Sequence, residues 1–225
     1  MRFHPGSRPF RLTGSATVGW EMKVKDLCSV LVVLVLGLSA TSCILGGRSE
    51  RARRPGELDR KLDAFTYLEE GKLIALAAGT EAARYRDKDK YFPVALAVAN
   101  KGAGTLMISR ESFTLQDENG KRYAAVPASE LNVGYNFLEL DRNFTGTFSV
   151  FLSRFSNYER LMSNLYPTRS SPGIVIEKLE VPRFYHIFDW LYFPRPTDGV
   201  LGHRFELHMD CPGLEEGVFV KFIVN

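Results

Sequence analysis

The stretch YFPVALAVAN, Tyr91 to Asn100, limits the fold more than any other part of the chain. Phe92, Val94, Leu96 and Val98 recur at every second position, which is the period of a β-strand with one face in a core. Asn100-Lys101-Gly102 ends it. Thr105–Ile108 and Ser112–Gln116 read as two further short strands. Asp117-Glu118-Asn119-Gly120 predicts a hairpin turn, with Asn-Gly supplying the positive φ angles of a type I′ turn, and Lys121–Val126 returns. Short strands punctuated by turn residues point to antiparallel pairing rather than to βαβ units.

The rest of the chain extends this pattern. Glu57–Glu70 is ambiguous: Leu58, Leu62 and Phe65 have helical spacing, whereas Phe65 and Tyr67 alternate. After the Glu70-Gly71 turn, Lys72–Ala78 reads as a return strand. Pro127 opens a predicted helix over Ser129–Leu140. Phe144, Gly146, Phe148, Val150 and Leu152 alternate, so 144–155 is read as a strand. A short helix is expected over Asn157–Leu165, a loop over Pro167–Gly173 and a strand over Ile174–Val181. Gly202–Met209 and Gly217–Val224 both alternate and form a final hairpin.

The sequence VALAVANKGAGTLMISRESFTLQDENGKRY resembles the immunoglobulin-like domains of bacterial envelope lipoproteins, over roughly Tyr91–Tyr123. The resemblance implies a mainly β fold, an antiparallel Ig-like β-sandwich with short helical insertions. It carries no catalytic residues.

Leu27–Cys43, LCSVLVVLVLGLSATSC, supplies an address. A secretion signal has a basic start, an apolar core of about 7–15 residues and small residues before the cut. Met22-Lys23-Val24-Lys25 is basic, and Leu27–Leu38 is a core of twelve uncharged residues. Ser39-Ala40-Thr41-Ser42-Cys43 resembles the lipobox of bacterial lipoproteins, which implies that Cys43 is acylated and becomes the first residue of the mature chain. Ala40 departs from the leucine usual at that position. A plain cleaved signal and a retained helix are the other readings, although a span needs about 20 predominantly apolar residues. Residues 1–21 lack an apolar period, which places the expected translation start at Met22. The domain plan is a signal region over 1–42, a lipidated flexible tether over 43–56 and one β domain over 57–225. The tether carries Arg48, Arg51, Arg53 and Arg54 against Glu50, and basic residues beside anionic lipid gain about 1 kcal/mol each.

Removing the signal changes the charge balance. The whole chain has a net charge of +3, with 29 Lys and Arg and 26 Asp and Glu. The 42 residues before Cys43 hold five of the former and two of the latter, so 24 of each remain. A neutral chain lacks the basic excess of a nucleic-acid-binding protein. Of three cysteines, Cys28 leaves with the signal and Cys43 carries lipid, so only Cys211 stays free and no intrachain disulfide can form.

Motifs for chemistry are sparse. No GxSxG, Walker A, GxGxxG, HExxH or paired CxxC is present. His208-Met209-Asp210-Cys211 offers soft ligands suited to Cu(I), but adjacent strand residues face opposite ways. His186, His203 and His208 could hold zinc only if the fold brought them together. The aromatic run Phe184–Phe193, flanked by Arg183 and Arg195, is the richest surface candidate. Alternation would bury about half of it and expose the other half, and Arg183, Tyr185, Trp190, Tyr192 and Arg195 are the candidate contact residues. The expectation is a lipid-anchored envelope protein without enzymatic activity or cofactor. Its partners would be a membrane, through the lipid, and an envelope protein. It would sit on the outer membrane facing the periplasm in a host with two membranes. A periplasmic ligand or copper carrier is the alternative.

Overall fold

The computed structural model describes residues 58–167 and 175–225; Cys43, the signal and the tether lie outside the described residues. The fold is mainly β. Its larger sheet has six strands in the order β1 (Arg60–Lys61), β2 (Thr66–Glu70), β3 (Ile74–Gly79), β4 (Tyr91–Asn100), β10 (Tyr185–Pro194) and β8 (Glu159–Arg160). All neighbours are antiparallel except β10 and β8. A second, antiparallel sheet has the order β12 (Val218–Ile223), β11 (Arg204–Met209), β6 (Phe113–Asp117) and β7 (Arg122–Ala124). β5 (Leu106–Ser109) and β9 (Lys178–Val181) form a separate two-stranded ribbon.

The two sheets face each other across the main core. Phe92, Val94, Leu96 and Val98 point inward from β4, as the alternation predicts. They meet Phe205, Leu207, Val220 and Phe222, with Phe92 and Phe205 ring centroids 5.7 Å apart and Tyr67 and Phe222 6.3 Å apart. Each large side chain taken from water here contributes about 1.5–3 kcal/mol.

The outer face of the larger sheet is also covered, and this is where the sequence-based expectations fail. β4 and β10 are buried on both faces rather than half-buried. The outward residues of β3 and β4 are small: Ala75 lies opposite Ala99, Ala77 opposite Ala97 and Gly79 opposite Ala95. That smooth strip receives a helix, α3 (Gly146–Arg154), within the segment read as a strand. The alternation of aromatic and aliphatic residues in 144–155 hid a second spacing. Phe148, Phe151 and Phe155 recur at intervals of three and four, and they pack as one helical stripe on the alanines, Leu68 and Phe188.

Three further segments differ from expectation. Ser129–Leu140 is two helices, α1 (Ala128–Gly134) and α2 (Leu138–Asp141), because Tyr135 between them leaves the helix with φ −130° and ψ 117°. Asn157–Leu165 is not a helix. It contains β8, and Leu161 N–H donates to the His186 carbonyl at 2.9 Å, so backbone pairing with β10 takes the place of helical bonds. The hairpin turn exists, but only Gly120 has positive φ (82°). Asp117 Oδ1 accepts from the Asn119 and Lys121 amides, each at 2.9 Å, and this side-chain bracket stabilises the turn in place of a type I′ backbone.

Candidate functional site

The aromatic strand was expected to expose part of its length. The structure buries its centre. His186, Phe188, Trp190 and Tyr192 share the outer face of β10, and Phe148 of α3 with Tyr135 and Tyr166 covers the last three. Phe148 stacks on Phe188 with centroids 5.1 Å apart and meets Trp190 edge-on at 5.7 Å. Tyr135 and Tyr166 lie edge-on to Tyr192 at 5.4 and 5.1 Å. Trp190 is 3% exposed and Tyr192 fully buried, so neither can touch a partner in this fold. Arg195 is exposed, but it follows the far end of a strand whose ten residues extend about 30 Å. The five candidate residues therefore do not form one surface.

A polar cluster sits beneath the helical cover. Asp141 is completely buried, accepts from Arg86 Nε at 2.9 Å and from the Tyr135 hydroxyl at 2.6 Å, and ties α2 to the loop before β4. The Arg86 guanidinium also lies 4.1 Å from the Phe137 ring centroid. Burial pushes the Asp141 carboxyl up to about 6, against the pull of Tyr135 and Arg86. Asp189 is held similarly, accepting from the Leu165 amide at 2.9 Å and the Trp190 amide at 2.8 Å, and burial again raises it. Both carboxylates serve packing. Each is buried in a polar knot that fixes a covering segment.

The exposed part of the aromatic run is its first corner. Phe184 has φ 66°, where every other described residue with positive φ is a glycine, and its ring is 49% exposed. A side chain in that conformation costs about 1–2 kcal/mol. The neighbouring backbone imposes it: Phe184 N–H donates to the Asn100 carbonyl at 2.7 Å, and its own carbonyl accepts from the Glu159 amide at 3.0 Å. Asn100, the residue that ends β4, is buried and staples the corner together. Its Nδ2 donates to the Gly104 carbonyl at 2.8 Å and the Val181 carbonyl at 3.1 Å, and its Oδ1 accepts from the Ala103 amide at 3.0 Å. The Arg183 guanidinium lies 4.6 Å from the Phe184 ring centroid, and Tyr158 meets that ring edge-on at 5.8 Å. Tyr185 is half-buried, and a hydrogen bond to Glu159 raises its pKa. The result is a half-exposed ring at a corner fixed by backbone hydrogen bonds.

The metal candidates do not assemble. His208 lies on the solvent side of β11, stacked on Phe219 at 5.1 Å, with Nε2 3.0 Å from Glu206 Oε2; burial lowers its pKa. Met209 points the other way and is fully buried. Cys211 is buried, and desolvation pushes its thiol up to about 11. His203 Nδ1 lies 2.8 Å from Glu118 Oε1, whereas buried His186 has neither ring nitrogen hydrogen-bonded. Among the described residues no group of three or more His, Cys, Asp or Glu could hold a metal ion, and no helix is long and apolar enough to cross a membrane.

Of the residues of the aromatic run named as contact candidates, Trp190 and Tyr192 are buried, and Arg183 and Arg195 lie exposed at opposite ends. The helix α3, whose Phe148 covers Trp190, lies in the segment read as a strand. Nothing in the local sequence marks Phe184 as left-handed, since that conformation favours glycine or asparagine.

Comparison with known proteins is sparse. No protein family matches the sequence, and no curated protein does. A crystal structure of a candidate lipoprotein, YcdA of Bacillus subtilis, is similar over 69% of this chain and 38% of that one, with 12% sequence identity and a TM-score of 0.37. The chain thus spans well under half the length of that protein, and likeness at this level carries no functional argument.

Proposed function

We propose that the chain is a lipid-anchored envelope protein whose β domain acts by non-enzymatic contact, through the corner formed by Arg183 and Phe184. The observation that carries this reading is the pairing of an acylation-type signal at Cys43 with a domain that holds an exposed aromatic ring in a conformation costly for it. Such conformations persist where the surrounding structure enforces them, and they cluster at sites of function. Exposed aromatic and arginine side chains are the residue types that anchor contacts. The facing sheets are consistent with an Ig-like arrangement, and we infer that class from the Tyr91–Tyr123 pattern.

Acyl labelling in cells tests the anchor. Wild-type protein takes up labelled palmitate and fractionates with membranes, and Cys43→Ser abolishes the labelling. Unchanged labelling of Cys43→Ser would sink the reading. A photo-crosslinking residue at position 184 tests the contact: the reading requires an adduct there and none from the same residue at position 201.

A further inference from the structure

Residues 158–164 run along β10 at the outer edge of the larger sheet and bond to it at every second position. The Glu159 amide donates to the Phe184 carbonyl at 3.0 Å, the Leu161 amide to the His186 carbonyl at 2.9 Å, and the Ser163 hydroxyl to the Phe188 carbonyl. None of the side chains in this strap is buried, and Met162 is 71% exposed. Both ends are fixed instead, by Phe155 packed in the alanine cluster and by fully buried Leu165 and Tyr166. A segment held by packing at its ends and by edge hydrogen bonds in its middle opens at lower cost than the core.

His186 lies beside the strap. It is opposite Arg160 of β8 and Ala99 of β4, is 1% exposed, and has its ring centroid 4.9 Å from that of Phe188. Among the described residues neither ring nitrogen has a hydrogen-bond partner. A neutral imidazole tolerates such a site better than an imidazolium, which brings two N–H donors and a charge. The charge that bears on the ring is also positive: it is that of Arg160, whose guanidinium lies 5.2 Å from the Phe188 ring centroid. No neighbouring element supplies a compensating acid. Ala99 and Phe188 are apolar, and Arg154, the one charged residue of α3, is paired with Glu70. Glu159 is hydrogen-bonded to Tyr185, and Asp189, on the opposite face of β10, is held by the Leu165 and Trp190 amides. Burial, and then Arg160, hold the imidazole below its ordinary pKa.

We propose that residues 158–164 form an acid-released strap with His186 as its trigger: protonation of the imidazole drives the strap off the edge of β10. In the closed fold the proton meets two unpartnered donors and Arg160, whereas with the strap away water solvates the ring. The imidazole therefore binds a proton more readily in the open form. Closure is fully stable above about pH 6.5 and is lost as pH falls below it. Opening leaves the carbonyls of Phe184, His186 and Phe188 on an unpaired strand edge and removes one of the two backbone bonds that fix the Phe184 corner. Release of the strap depends on neither acylation at Cys43 nor a contact at Phe184.

Hydrogen exchange of the full chain, resolved amide by amide at about pH 7 and about pH 5 and corrected for intrinsic rates, tests this. Protection of the Glu159 and Leu161 amides should fall by about ten- to thirtyfold at the lower pH, the ratio set by an imidazole that titrates ordinarily in the open form and stays neutral in the closed one. The amides of β11 and β12 should keep their protection. His186→Leu, which fills the site with an apolar group, should remove the difference. Where that variant fails to fold, the ring signals of His186 in the wild-type chain decide the matter: they should stay those of a neutral imidazole as pH falls through about 6.5, and a ring that titrates there overturns the proposal. Equal protection at the two pH values, an equal loss in His186→Leu, or a loss shared by β11 and β12 overturns it as well.

Discussion

An atom placed where Gly79 lacks a Cβ would lie 2.0 Å from the Thr147 hydroxyl oxygen and 2.9 Å from the Ala95 Cβ. The missing side chain is what lets α3 lie directly on the larger sheet. Thr66 Oγ1 uses the approach to donate a hydrogen bond to the Thr147 hydroxyl at 3.0 Å across it. Gly79→Ala should therefore destabilise the domain by about 1–3 kcal/mol, as overpacking does. Urea unfolding measures this, and a loss below about 0.5 kcal/mol would show that α3 does not sit as described.

The Asp141 carboxyl makes stability depend on pH. Its folded pKa, raised to about 6 by burial from an ordinary 3.8, exceeds the unfolded one, so the folded state binds the proton more tightly. The contribution is fully present below the unfolded value and is lost as pH rises through about 6. Arg86 and Tyr135 face the group directly, and the charge of Asp89 adds to the upward shift. A shift of this size corresponds to roughly 2–3 kcal/mol. Asp141→Asn should flatten the fall in the urea midpoint between pH 4 and pH 6; an unchanged slope assigns the titration elsewhere.

Phe184 separates backbone strain from side-chain packing. With φ at 66°, alanine keeps the penalty that glycine avoids. Phe184→Gly should be more stable than Phe184→Ala by about 1 kcal/mol in chemical denaturation. Equal stability would mean that the left-handed corner is not maintained in solution.

Cys211 should behave as a packing residue. With its thiol buried and raised to about 11, it is almost wholly protonated at neutral pH. Ellman's reagent should react with it only after unfolding. Rapid reaction of the native protein would contradict the burial.

Much of the β framework is legible in the sequence because the large residues facing the main core recur with a period of two, and in Tyr91–Asn100 the opposite face, also buried, carries Ala95, Ala97 and Ala99. Tyr91–Asn100, the 117–120 turn and the final hairpin emerge this way, and β11 and β12 pair as expected from His208 opposite Phe219 to Phe205 opposite Phe222. The helix α3 is not legible, for a single reason. Phe148, Phe151 and Phe155 satisfy a helical spacing within a segment that also alternates, and only the alanines of β3 and β4, far away in sequence, decide between the two. Once that helix is missed, Trp190 looks exposed. The Phe184 corner stays hidden because its conformation is imposed by Asn100 and Glu159 from other segments rather than by Phe184 itself.

The central claim is that a lipid at Cys43 holds this domain at a membrane. Intact mass analysis of the mature protein extracted from membranes tests it most directly. The account predicts a chain beginning at Cys43 with a mass increased by a diacylglyceryl group, with or without a further acyl chain on its amine. An unmodified Cys43, whether within a retained signal or in a chain cut elsewhere, would contradict it.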